Sequence, residues 1–341
     1  MKKVLTTVAA VLTSIACIGL SACGGGKKDS IKVNPDKEKY VVGIVQLVAH
    51  DALDAATQGF KDALTEKLEE AGRTVEFDYQ NASNDSTLCT TIANSFVAKD
   101  VDLIMANATP ALQAAYAATT KIPVLGTSIT EYGVALGIED FNGTVGSNVS
   151  GTADLAPLDE QTTMMVDLLD LKAEDKVAIL YCSAEPNSKY QADVVKAELA
   201  KKGVASDIKT FVDSNDIASV CNGIVTGGYK AVYVPTDNTV ASNTATIDNV
   251  LRGADIPVFA GEEGICKGCG FATLSISYYN IGVKTGEMAA KILLGQEDIR
   301  EMAIAYDQAP VKKYNATICA EFGITVPEDY TVIAGTEVAQ N

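Results

Sequence analysis

The hydrophobic and polar positions of this 341-residue chain run through one pattern twice. Residues 40–48 form an almost unbroken apolar run, as expected of a strand covered on both faces. From about Leu53 to Ala71, Phe60, Leu64 and Leu68 recur at helical spacing, and Gly72 ends the pattern. Strands are then predicted over 75–79, 101–106 and 122–125, with helices over 87–98 and 110–119 between them. A second series follows. Helices predicted over 159–169, 189–202, 217–225 and 240–252 alternate with strands over 177–181, 208–211, 231–234 and 256–259. Ile122-Pro-Val and Ile256-Pro-Val stand at equivalent places in the two series. A tail differs, with a strand over 272–276 and helices over 278–294 and 315–322.

Strands alternating with helices of this length imply βαβ units. The fold class expected is α/β: two doubly wound parallel-sheet lobes joined by a multi-strand hinge. The polar stretch Asn148–Pro157 reads as the linker between the lobes, with Asn148, Ser150 and Gly151 as hinge residues. The boundaries that follow are 37–149, with about 277–305, for lobe 1, and 150–276, with about 306–335, for lobe 2. Ligands of such sheets bind beyond the carboxyl ends of the strands, so the space between the lobes is the expected site.

Ahead of the first strand the pattern changes character. Met1-Lys2-Lys3 is basic, Val4–Gly19 is largely apolar, and Leu20-Ser21-Ala22-Cys23 follows. This is a secretory signal over 1–22 with a small-residue cleavage site. The Leu-Ser-Ala-Cys sequence resembles the bacterial lipobox, which implies a lipid on Cys23 and a lipid-anchored, extracytoplasmic protein on the bacterial cell membrane. Residues 23–36 read as a flexible tether.

Composition narrows the partners. The net charge of -17 argues against nucleic acid, which demands a basic patch. A single histidine, His50, removes every site that needs two imidazoles. No metal site is expected, since Cys266-Lys-Gly-Cys269 is a lone CxxC, read as lying in a Gly-rich turn, with no second pair or histidines to complete it. Its alternatives are a local disulfide or free thiols, and a thiol oxidoreductase remains a separate reading. With no Walker loop, GxSxG or GxGxxG, neither a catalytic residue nor a cofactor is assigned.

The strand exits carry the chemistry. Gln46 follows the first strand, Asn81 and Ser83 the second, Thr109 the third and Ser128 the fourth. In the second series come Glu185 and Ser188, then Asp237 and Asn238, then Glu262. Helix capping accounts for some of these residues. Their presence at nearly every exit of both halves points to a polar small-molecule site. Hydroxyls and backbone N–H groups (Thr109, Ser128, Ser188) suit a carboxylate, and Asp237, with Glu185, suits an ammonium.

At these residues the chain resembles the substrate-binding lipoproteins of ABC transporters in the tryptophan/tyrosine-type family. The matching segments are Gly43-Ile-Val-Gln46, Leu53-Asp54 through Phe60, Asn81-Ala82, Ala108-Thr-Pro110, Ile122-Pro-Val124, Gly151-Thr-Ala-Asp154 with Pro157, Leu180-Tyr181 with Glu185-Pro-Asn-Ser188, Pro235-Thr-Asp-Asn238, and Gly286–Leu294. The resemblance implies a type I periplasmic-binding-protein fold. It also implies a monomer that captures an amino acid, aromatic in kind (Tyr, Trp or Phe), and delivers it to a permease with its ATPase. The stretch Thr127–Tyr132 departs from the Thr-Asp-Pro turn usual there, and it borders the cleft. A sugar or nucleoside receptor on the same fold, and a surface sensor or adhesin without transport, are the alternatives.

Overall fold

The computed structural model describes residues 31–306 and 309–338. The signal over 1–22, Cys23 and the tether up to residue 30 lie outside the described residues.

The first series opens with β1 (Lys39–Gln46), α1 (Asp51–Glu70), β2 (Thr74–Asn81), α2 (Ser86–Ala98) and β3 (Leu103–Asn107). It continues through α3 (Thr109–Ala118), β4 (Val124–Ile129), α4 (Tyr132–Leu136) and β5 (Val149–Ala153). The second series begins with α5 (Leu158–Leu168), β6 (Lys176–Cys182), α6 (Pro186–Lys201), β7 (Ala205–Phe211) and α7 (Ile217–Thr226). Then come β8 (Ala231–Val234), α8 (Asn238–Ala241), α9 (Thr244–Leu251), β9 (Val258–Ala260), α10 (Glu263–Cys269) and β10 (Ala272–Ser275). The tail supplies α11 (Tyr278–Leu293), β11 (Ala305–Tyr306), β12 (Val311–Tyr314), α12 (Ala316–Phe322) and β13 (Thr331–Val332).

Two sheets result, ordered β11-β5-β4-β3-β1-β2 and β13-β12-β10-β9-β8-β6-β7. Every pairing is parallel except β10 with β12. The central strands are buried on both faces, as their continuous apolar runs require, while β2 and β7 at the edges are partly buried with exposed positions. On α1, Phe60, Leu64 and Leu68 face the core at the predicted spacing. Between Tyr40 and Leu293 a buried O–H···O bond of 2.9 Å ties the first strand to α11. The close approach of α11 to α1 depends on missing side chains: a Cβ at Gly282 would stand 2.1 Å from the Ala56 carbonyl oxygen. The backbone passes between the sheets three times, at 154–157, at 276–277 and between Tyr306 and Val311.

Three elements differ from expectation. The stretch Asn148–Pro157 is not all linker. Its core, β5, is a wholly buried strand between β4 and β11, and the crossing itself begins only at Asp154. The sequence there looks polar because its hydroxyls are satisfied inside the sheet. The Ser150 hydroxyl donates to the Met302 carbonyl at 3.1 Å, and Thr152 Oγ1 pairs with Thr285 Oγ1 at 2.8 Å. Asn148 Nδ2 donates to the carbonyls of Thr119 and Ile122. Gly151 is compulsory on two counts, a φ of +142° and a Cβ position 2.0 Å from the Gly126 carbonyl oxygen. The helix expected over 240–252 is broken into α8 and α9. At the break, the Ser242 hydroxyl donates to Asn238 O and the Asn243 amide to Thr239 O, competing with the helical ladder. The CxxC lies in a helix, α10, rather than in a turn, with Cys266 in the middle of the helix and Cys269 as its last residue.

Candidate functional site

The ends of β1, β4, β6, β8 and β9 meet across the gap between the two sheets. They enclose a cavity whose free volume is about 10 Å³, room for roughly one water molecule. The first sheet contributes His50, Leu53 and Ser128. The crossings contribute Asp154 and Tyr278. The second sheet contributes Asn187, Thr236, Asp237, Asn238, Ala241 and Glu262.

Ser128 owes its position to a backbone irregularity. Between the Gly126–Gly151 and Ile129–Ala153 pairs, two residues of β4 face one of β5, and Ser128 has a left-handed φ of +56°. A bulge re-aims a side chain, and holding a serine in this conformation costs on the order of 1 kcal/mol. The hydroxyl it delivers is buried and has no hydrogen-bond partner among the described residues. Across the cavity, Asn187 Oδ1 is likewise buried and unpartnered, while its Nδ2 is 3.0 Å from Thr236 O. Two bare polar atoms at one cavity are unusual, since nearly all buried polar groups are paired.

The carboxylates are held by backbone N–H groups. Asp237 caps α8, accepting from Val240 N at 2.8 Å, and also accepts from Cys182 N at 2.8 Å. Glu262 caps α10, accepting from Gly264 N and Ile265 N. Asp154 accepts from the hydroxyls of Thr130 and Tyr278, both at 2.9 Å. Burial dominates all three. It pushes Asp154 up, Glu262 up to about 7, and Asp237 up further with the help of the nearby Glu185 carboxylate. Burial also lowers the His50 imidazole pKa, which favours its neutral form.

Of the residues expected at the site, Ser128, Asp237, Asn238 and Glu262 line the cavity. The others do not. Gln46 is consumed within the first sheet, donating to Asp54 and Val48 and accepting from Thr57. Asn81 is half-buried and Ser83 exposed, and they close a turn on each other at the end of β2. Thr109 is buried at the start of α3. Glu185 already accepts from the N–H and amide of Asn238 and from the N–H and hydroxyl of Thr239, so no lone pair remains for a guest. Ser188 Oγ is 3.3 Å from Thr236 O, behind the lining. Sequence reasoning missed Asn187, Asp154 and Tyr278 as lining residues. The first follows Glu185-Pro186 directly, and the other two stand at the crossings, whose location the alternating pattern does not mark.

The two sides touch. His50 Nε2 lies 3.2 Å from Asn238 Oδ1, Asn84 Nδ2 is 3.1 Å from Thr239 Oγ1, and Lys267 pairs with Asp51 at 3.2 Å. The cleft is therefore shut, and anything larger than a water enters only if the lobes part. The CxxC takes no part in this site: burial raises both thiols, away from the reactive thiolate, and all six cysteines of the described residues are buried and unpaired. No group of three or more potential metal ligands occurs among the described residues. No described helix is long and apolar enough to cross a membrane.

Comparison with known proteins bears on both the fold and its conformation. A tyrosine-binding protein of Clostridioides difficile is 34% identical over 299 residues, spanning 86% of this chain and 85% of that protein. The crystal structure of an ABC domain from Streptococcus pneumoniae in complex with L-Trp is 29% identical and superposes with a TM-score of 0.78 over 86% of this chain and 100% of that one. The ligand-free, open structure of CD0873, a substrate-binding protein with adhesive properties from Clostridium difficile, is 34% identical. It covers 86% of this chain and 99% of its own, yet superposes at only 0.63. The chain is thus closer in shape to a ligand-bound relative than to a more identical open one. The model of the ABC transporter substrate binding protein family matches residues 41–338. With two parallel-dominated lobes closed over a strand-exit cavity and that match across nearly all of its described length, the chain belongs to the ABC transporter substrate-binding protein family.

Proposed function

We propose that the cleft captures an amino acid with an aromatic side chain. Supporting this are the tyrosine named for one relative and the tryptophan bound in another. The observation that carries the reading is the pair of complementary features at the cavity: a buried, unpartnered Ser128 hydroxyl on one side and the Asp237 carboxylate on the other. The first suits the ligand's carboxylate and the second its ammonium. Thr109, Glu185 and Ser188 drop out of the contact set and act behind it.

As an ABC substrate-binding protein the chain works outside the cytoplasm. Tethering to the membrane through a lipid on Cys23, and hand-over to a permease driven by an ATPase, complete the reading. No catalytic step is assigned.

A thermal-shift screen of the protein against the twenty amino acids, with sugars and nucleosides as controls, tests it. A ligand at a thousandfold excess over its Kd stabilises by about 4 kcal/mol. A raised melting temperature confined to Tyr, Trp or Phe is the expected result. A shift with sugars or nucleosides alone would keep the fold and replace the ligand. The adhesive property named for one relative motivates a second reading, adhesion at the cell surface, tested by binding of the purified protein to host-cell matrix with and without the amino acid.

A further inference from the structure

The cavity has a charge imbalance that the capture of a zwitterion does not by itself require. Three buried carboxylates, Asp154, Asp237 and Glu262, line it, and no lysine or arginine does. Two lysines near Glu262 in sequence or space are engaged on other carboxylates: Lys267 on Asp51 at 3.2 Å and Lys313 on Glu263 at 2.5 Å. An uncompensated buried carboxylate is costly enough that it takes up a proton instead.

We propose that the shut, empty cleft holds at least one proton on the Asp237 and Glu262 carboxylates, and that an incoming ammonium takes its place. Capture then releases a proton to solvent: a carboxyl O–H bond breaks, and the carboxylate left behind accepts an N–H of the ligand. The ligand's amino group arrives already protonated, so no further proton moves. The same imbalance sets specificity. A ligand with one ammonium and an uncharged side chain is accepted, and one with a side-chain carboxylate is refused.

The surroundings of each group agree. Around Asp237 stand Glu185, Ser188 and the thiol of Cys182, which include no cation. Around Glu262 stand Glu263, Asp51 and Tyr278, the first two already paired with Lys313 and Lys267. Asp154 faces Thr130 and Tyr278, which donate to it. His50, buried next to Asn238 with Glu185, Asp51 and Asp54 nearby, is held neutral by burial and brings no positive charge.

This inference rests on the amine-ligand reading, and the experiment separates the two. The heat of L-tyrosine binding to the full-length chain is measured at pH 7 in phosphate and in Tris, whose ionisation enthalpies differ. A buffer-dependent heat corresponding to release of roughly half to one proton per ligand is expected, with affinity rising by up to about tenfold per pH unit between pH 6 and 8. L-glutamate should give no heat. If L-tyrosine binds with the same heat in both buffers, or binds less tightly as pH rises, the proton exchange is wrong while the receptor reading survives. If neither L-tyrosine, L-tryptophan nor L-phenylalanine binds, both fall. In Asp237→Asn the released proton should shrink or disappear. Should that variant not fold, the wild-type buffer comparison decides alone.

Discussion

The two sides of the cleft are built on the same βαβ plan yet arrive at it differently prepared. The second sheet brings a finished network: Asp237 and Glu262 fixed as helix caps, Glu185 saturated by four donors, and Asn187 held by Thr236. The first sheet brings less: a neutral imidazole, a leucine, and one strained serine whose hydroxyl has no partner. Under the proposed function, charge recognition falls to the second lobe, preorganised before any guest arrives, and the first lobe completes the site only on closing. Preorganised donors and acceptors limit the ordering cost of binding, while the bare hydroxyl leaves the first lobe an unmet bond that a guest's carboxylate can satisfy.

Four substitutions test that asymmetry, in order of expected effect. Glu262 is held near pKa 7 in the fold against 4.5 in the unfolded chain. The folded state thus binds more protons between those values, and stability is lost as pH rises from about 4.5 through 7. The full effect is of order 3 kcal/mol. Melting temperature against pH should show that decline in the unliganded protein, and Glu262→Gln should lessen it, leaving the part that the raised Asp237 contributes. Next, Asp237→Asn keeps the size of the side chain but can accept from only one of Val240 N and Cys182 N, so the melting temperature should fall modestly while ligand binding weakens by about 2 kcal/mol, some thirtyfold. An unchanged Kd by calorimetry would remove Asp237 from the site. Ser128→Ala removes a hydroxyl that the empty protein leaves unbonded. Its melting temperature should hold or rise slightly while affinity drops by about 1 kcal/mol, so a marked loss of stability would show that the hydroxyl has a structural partner. Smallest is His50→Ala, which deletes one bond across the closed cleft and should shift the open–closed balance by about 0.5 kcal/mol. Small-angle scattering of the unliganded protein should then show a slightly larger radius of gyration.

What the chain revealed in advance followed from periodicity. β1 and α1 were legible because Tyr40–Gln46 is apolar at nearly every position and Phe60, Leu64 and Leu68 recur every fourth residue. β5 was not, because Ser150, Gly151 and Thr152 are turn-formers by composition, and only the sheet around them satisfies their polar groups. α10 was hidden by Gly264, Gly268 and the two cysteines, poor helix formers whose helix is nucleated by the Glu262 cap. At the site, the strand-exit rule located Ser128, Asp237, Asn238 and Glu262. It could not separate them from Gln46 or Glu185, which carry the same chemistry at the same kind of position. Which polar side chain is free for a guest and which is consumed by its neighbours is decided by contacts far apart in sequence, such as Glu185 with Thr239.

The bond from the Tyr278 hydroxyl to Asp154 has a mechanical consequence. It joins the first inter-sheet crossing to the second at a single point, and α11, which starts at Tyr278, is seated on α1 through backbone contacts that leave no room to slide. Two strands of a hinge pinned together behave as a pivot rather than as two independent springs. A swing of the lobes about that point would open the mouth of the cleft more than its floor.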